Sequence, residues 1–130
     1  YYKHDKNMKT VLKNETRSMR ANMYFLQKVT DMINQRISDP DLSPGSIAKE
    51  LNISVSQLNR KINAASGYST NAYIIQLRLN HAKKQLIQCD KNIGEIAKIC
   101  GFADLAYFSR TFKKHTGVTP SYYRNFVLLP

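Results

Sequence analysis

Apolar positions along this chain recur every three or four residues and almost never alternate. From Met23 to Ile37 they fall at Phe25, Leu26, Val29, Ile33 and Ile37, the spacing of one helical face. Pro40 disfavours helix at the residue before it, so this helix is expected to end near Ser38-Asp39-Pro40. Ser43-Pro44 supplies an N-cap and a proline at the first helical position. A short helix follows, with Ile47, Ala48 and Leu51 inward, then a turn at Asn52-Ile53. Ser54 and Gln57 have capping-box spacing and open a helix that buries Leu58 and Ile62 and stops at Gly67. A longer helix is predicted over about 71–88, with Ile75, Leu79, Ala82 and Leu86 as its stripe. Asn92 and Glu95 repeat the capping spacing before a short helix to Cys100. Asp104 caps another helix with Phe108 and Phe112 inward and Gly117 at its end. Thr119-Pro120 starts a last one through Tyr122, Tyr123 and Arg124. With no strand-like alternation and no Asn-Gly or Asp-Gly turn, the pattern predicts an all-α chain of about seven helices.

Two stretches of this pattern superimpose. Ile47-Ala48-Lys49 matches Ile96-Ala97-Lys98, and Ile53 matches Phe102. After one extra residue near Asp104, Leu58, Arg60, Ile62 and Gly67 match Phe108, Arg110, Phe112 and Gly117. Each copy reads as a short helix, a tight turn and a capped second helix, the helix-turn-helix pattern. Small Ala48 and Ala97 let the paired helices cross closely. The second helix of each copy keeps a polar outer face and an arginine that suit phosphate or guanine. The expected units are a first helix-turn-helix over about 43–67, a linker helix over about 71–88 and a second helix-turn-helix over about 92–117. Together they form a domain over 23–130.

Charge sharpens this reading. The 130 residues carry 20 Lys and Arg against 9 Asp and Glu, a net charge of +11. Six of the basic residues (Lys3, Lys6, Lys9, Lys13, Arg17 and Arg20) lie in the first 20 positions at spacings of three or four. Met8, Leu12, Met19 and Met23 fit a second face of the same stretch. Residues 1–22 therefore read as a basic linker or arm from a missing upstream domain, with a frayed helix as the alternative, and the chain begins at Tyr1 rather than Met, as a piece of a longer protein would. Nucleic acid is the expected partner of so basic a domain. No run is long enough to span a bilayer and no secretory signal is present, so no membrane contact and a cytoplasmic location are expected. Cys89 and Cys100 are too few for a disulfide framework, lack CxxC spacing and read as buried small apolar residues. His4, His81 and His115 show no ligand spacing, so neither metal nor cofactor is expected. With no phosphate loop and no nucleophile–base constellation, the chain does not read as an enzyme.

The segment Gly101-Phe102 … Phe108-Ser109-Arg110-Thr111-Phe112-Lys113 … Gly117-Val118-Thr119-Pro120-Ser121-Tyr122-Tyr123-Arg124 resembles the AraC/XylS family of bacterial transcription regulators. The likeness extends from about Phe25 to Phe126. It implies two recognition helices entering successive major grooves of double-stranded DNA. A linker helix of about 18 residues is a strut of about 27 Å, the right order for grooves about 34 Å apart. Carried over by position, the first reader presents Ser54, Ser56, Gln57, Asn59 and Arg60, and the second Leu105, Ala106, Tyr107, Ser109, Arg110 and Lys113. Asn and Gln suit adenine and Arg suits guanine, whereas Leu105 and Ala106 can only touch thymine methyls. The first unit is thus expected to discriminate sequence, and the second to add affinity.

The resemblance also implies transcription regulation, mostly activation, with RNA polymerase as a partner and a homodimer on DNA. The basic, Met-containing arm leading into Phe25 resembles the link from a receiver domain, as at the C-terminus of a two-component response regulator or hybrid sensor kinase, with the sensor or receiver domain lying upstream; the alternative is a stand-alone regulator whose sensor is trimmed away. Arg78 and Arg124 are expected to brace the fold. Tyr68, Tyr73, Tyr122 and Tyr123 are expected in the core or between helices. Against the DNA-reading hypothesis stand a nonspecific basic nucleic-acid binder and a protein-interaction module whose basic face meets an acidic partner. In either of these Arg60 and Arg110 would serve as surface charge or ion-pair partners.

Overall fold

The computed structural model describes residues 2–128, with side chains from residue 7 to residue 127. Among them are seven α-helices and no strand: α1 (Tyr2–Gln35), α2 (Pro44–Glu50), α3 (Val55–Ser66), α4 (Thr70–Gln88), α5 (Ile93–Ile99), α6 (Leu105–Thr116) and α7 (Pro120–Leu128). None is long and apolar enough to cross a membrane.

The stretch read as a basic arm is helical and continuous with the helix that follows it. α1 runs without interruption for 34 residues. The reason is local: no glycine or proline occurs before Pro40, so nothing removes a donor or relaxes the backbone along the i→i−4 ladder. Tightened bonds from Arg36 N to Ile33 O and from Asp39 N to Arg36 O then end it. Every side chain from residue 7 to residue 21 is exposed, including Lys9, Lys13, Arg17 and Arg20. Lys3 and Lys6 lie outside the described side chains. Only the C-terminal part of α1 is anchored, through Val29 and Ile33.

Two hydrophobic clusters form, one per helix pair. The first joins Val29 and Ile33 of α1, Leu42, Ile47 and Ala48, Leu58 and Ile62 of α3, and Ile74 of α4. The second joins Leu79, Ala82 and Leu86 of α4, Ile96, Ala97 and Cys100, Phe102, and Phe108 and Phe112 of α6. α4 belongs to both clusters, closing the first unit and opening the second. Arg124 of α7 donates to the Leu86 and Cys89 carbonyls at 2.9 and 3.0 Å, satisfying acceptors that the end of α4 leaves open.

Side-chain caps at Ser43, Ser54, Asn92 and Asp104 start helices where the sequence placed them, each accepting from the backbone three residues on. Ser69, which the sequence reading did not single out, caps α4 in the same way. At α5 the reciprocal bond is missing: Asn92 Nδ2 reaches the Glu95 carboxylate instead of Glu95 reaching the backbone. The Asp104 carboxylate holds Tyr107 N at 2.6 Å and is exposed. Asp104→Ala is expected to cost about 1 kcal/mol, read as a lowered urea midpoint at unchanged slope.

Two expectations about packing need correction. Tyr73 is half-buried, its hydroxyl 2.7 Å from Thr30 Oγ1, and Tyr123 meets the Phe112 ring edge-on. Tyr68 and Tyr122, however, are 44% and 57% exposed, because their positions face outward beside the helix starts. Cys89 is only half-buried, its thiol donating to Gln85 O at the end of α4. Cys100 is fully buried, and burial pushes its thiol up to about 12. It stays protonated while an unfolded thiol ionises near pH 8.5. Stability should therefore fall as pH rises from about 8.5 towards about 12. At pH 8, mass mapping after iodoacetamide treatment is expected to find Cys100 unmodified until the chain is denatured.

Candidate nucleic-acid interface

α3 and α6 are held by equivalent means. Leu58 and Ile62, and their counterparts Phe108 and Phe112, are completely buried. Both helices end on a left-handed glycine, Gly67 or Gly117. The turn before each reader bonds back to the preceding helix, from Ile53 N to Ala48 O and from Phe102 N to Ala97 O. Residues at matching positions along the two helices therefore face outward together.

On α3 the exposed candidates are Ser54, Ser56, Gln57 and Arg60. On α6 they are Leu105, Ala106, Tyr107, Arg110 and Lys113, while Asn59 and Ser109 are half-buried. Arg60 and Arg110, each sixth in its helix, are exposed and unpaired. The ion pairs among the described residues join Arg36 to Asp39 and to Glu50. Among the described residues neither reader arginine is neutralised by an ion pair within the fold. Lys113, Lys114 and His115 lie in the last turn of α6, where cations complement the helix dipole. The two N-termini differ: α3 begins on neutral Ser54, α6 on the Asp104 carboxylate. A phosphate approaching the start of α6 meets a like charge, so basic groups further along must attract it.

Two readers expected to pair with adenine are already engaged. Asn59 Oδ1 accepts from Thr70 N at 3.2 Å, tying the end of the first unit to the start of α4. Gln57 Oε1 accepts from Ser54 N at 2.9 Å in the capping box. Bidentate pairing with adenine needs that amide oxygen as well as the amide nitrogen. In this geometry each of these amide oxygens accepts one backbone N–H and keeps a second lone pair, so the bonds fix how the amide is turned without removing it as an acceptor. Ser56 and Arg60 keep their donors free. The Tyr107 ring centroid lies 6.0 Å from that of Phe102.

Among the described residues no group of His, Cys, Asp and Glu is arranged to hold a metal ion. Sequence reasoning placed Arg78 as a brace but missed where it acts, between the two units. Its signal was a lone arginine on the inward side of the linker-helix stripe.

Two tandem, capped helix-turn-helix units on one shared helix, each with an unpaired arginine on its outer face, define a DNA-binding domain of the bacterial regulator type. The model of a family described as "Helix-turn-helix domain" matches residues 47–125, and the chain belongs to this AraC-type family. It is 31% identical over 99 residues to the transcriptional activator NphR of a Rhodococcus species, covering 76% of this chain and 29% of that protein. It is 36% identical over 102 residues to the uncharacterised transcriptional regulatory protein YesN of Bacillus subtilis, covering 76% of this chain and 28% of YesN. Among solved structures it is similar to the C-terminal domain of AraT, a response regulator from Geobacillus stearothermophilus. There the TM-score is 0.76 at 31% identity, over 81% of this chain and 87% of that one. The chain thus spans less than a third of the length of NphR and of YesN.

Proposed function

We propose that this chain binds double-stranded DNA sequence-specifically, with α3 and α6 in successive major grooves. In this reading it is the output domain of a longer, signal-responsive regulator of the two-component kind, which positions RNA polymerase as an activator. The observation that carries the reading is the repeated exposure of an unpaired arginine, Arg60 and Arg110, at the same position of two rigidly seated helices. A binder working by charge alone has no need of that register. The two-component context is supported by the likeness to the C-terminal domain of a response regulator. Sequence of the gene upstream tests it, and a cupin-like sugar-binding domain there would overturn it.

The DNA reading is tested by selection from randomised duplexes at fixed salt, followed by affinity for the winner against a scrambled duplex. Two blocks about one helical turn apart, bound about 10³-fold or more tighter than scrambled DNA, are expected. Equal affinity for all duplexes with a steep salt dependence would instead mark nonspecific charge binding.

A further inference from the structure

Two separate cores sharing one helix leave a mechanical question: what fixes the angle between the readers. The turn that follows α1 and the turn between α5 and α6 meet beside the middle of α4. Ser38 Oγ donates to Ile99 O at 2.5 Å. Arg78, in α4 between Ile74 of the first core and Leu79 of the second, is 9% exposed. Its Nη2 donates to Asp39 O at 2.6 Å. Gly101, of the second unit, lies against both. A Cβ there would collide with the Ile37 carbonyl oxygen and come within 2.7 Å of Arg78 Nε.

Gly101 takes a left-handed φ of +84°, as does Asn52, its counterpart in the first unit, at +57°. Asparagine tolerates that conformation, so backbone angle alone does not demand glycine at 101. The close approach of the first unit does. The contact is also costly to build. Arg78 Nε is buried without a partner, and burial lowers the guanidinium's pKa below its ordinary value, with Asp39 the largest opposing charge. A buried, incompletely paired arginine contributes little to stability against an apolar side chain of similar size. Its geometric effect is to join two bodies that otherwise depend on one bendable helix.

We propose that Arg78, together with Ser38 and Gly101, locks the two reading units at one relative orientation and so sets the spacing between DNA blocks that the chain accepts. One base pair more or less moves a block by about 3.4 Å along the axis and roughly 34° around it. A locked pair of readers cannot follow both displacements. Arg78 and Ser38 are positioning residues here, since neither needs to touch DNA. The spacing half of this inference rests on the function proposed above, whereas the mechanical half does not.

The test uses the chain as it stands, free of DNA, and measures residual dipolar couplings of the backbone amides. In the wild type one alignment tensor of one magnitude is expected to fit both units. In Ser38→Ala/Arg78→Met the two units are expected to need tensors of different magnitude, each unit still fitting its own coordinates. Methionine keeps the buried volume apolar. Ser38→Ala alone changes only an exposed side chain, and should show the same divergence in smaller degree if the double variant fails to fold. A single tensor retained in the variants, or two tensors already needed in the wild type, would overturn the proposal.

The second arm uses the selected site with its spacer shortened or lengthened by one base pair. The wild-type affinity is expected to fall about 100-fold and the variant's by less than about 10-fold, with single-block affinity unchanged. An unchanged spacing penalty in a variant with divergent tensors would overturn the link to spacing. A wild-type chain that prefers no two-block site would overturn the function proposed above, while the couplings still decide whether the lock exists.

Discussion

Arg60→Ala is expected to flatten base preference at one position of the selected site by about 5- to 150-fold, equivalent to about 1–3 kcal/mol. Arg110→Ala is expected to weaken binding to all sequences more evenly. The asymmetry follows from what surrounds each arginine. On α6, the exposed neighbours Leu105 and Ala106 offer apolar contact and no donor. On α3, Ser56 stands free, while Gln57 and Asn59 have their amide oxygens tied to Ser54 and Thr70. In the first unit Arg60 is therefore expected to discriminate beside Ser56 and two amides whose orientation these bonds fix. Gln57→Ala should show chiefly the loss of a helix cap, about 1 kcal/mol of stability, with a smaller change in specificity. Repeating the selection with each variant at one salt concentration checks the ranking. It is wrong if Arg110→Ala relaxes sequence preference more than Arg60→Ala does.

Phe108→Ala is expected to lower unfolding free energy by about 3–5 kcal/mol, a large share of the about 5–15 kcal/mol that holds a typical domain. Phe108 is fully buried, its ring centroid 4.9 Å from that of Phe102 and 5.8 Å from that of Phe112. Phe112 in turn meets Tyr123 of α7 at 5.5 Å, and the cavity would open in the core that α4, α5 and α6 share. Because the cores are distinct, amide exchange should accelerate in α5 and α6 well before α2 and α3. The mirror substitution Leu58→Ala, costing about 2–5 kcal/mol, should reverse that order. Urea denaturation followed by circular dichroism gives the magnitudes, and hydrogen exchange gives the order. Equal acceleration in both units under either substitution would mean that they unfold as one.

These two expectations draw on different parts of the chain's legibility. Leu58, Ile62, Phe108 and Phe112 were readable as core because helical periodicity alone puts them on one face beside Ala48 and Ala97. The caps at Ser43, Ser54 and Asp104 were readable because capping depends on residues three apart in sequence. The continuity of α1 was available in the same local terms, since no breaker precedes Pro40. The basic, Met-containing composition of residues 1–22 obscured it, drawing the reading towards a linker.

The exposed face of the candidate site was legible in the sequence, and its hydrogen bonds back to the fold were not. Position along the repeat located Arg60 and Arg110, whose exposure follows directly from the helical face they share. It also put Asn59 and Gln57 among the readers, and only the fold shows that their oxygens bond to Thr70 N and Ser54 N as well. A side chain's chemical type states what it can bond, but not which partner is nearer. Thr70 N is eleven residues from Asn59, and no local pattern announces that contact.

By itself, then, the sequence determined the seven helices, the duplicated unit, the inward and outward faces and the family to which they belong. All of these depend on interactions spanning a few residues, or on a motif repeated at an offset of 49 or 50 residues. Tertiary structure alone decided how one unit sits against the other. Arg78 reaches Asp39, Ser38 reaches Ile99, and Gly101 lies against Ile37, across separations of 39 to 64 positions in the chain. Such contacts arise where two independently formed cores meet through a shared helix. Their geometry depends on the shapes of both bodies at once, which no periodicity along the chain encodes.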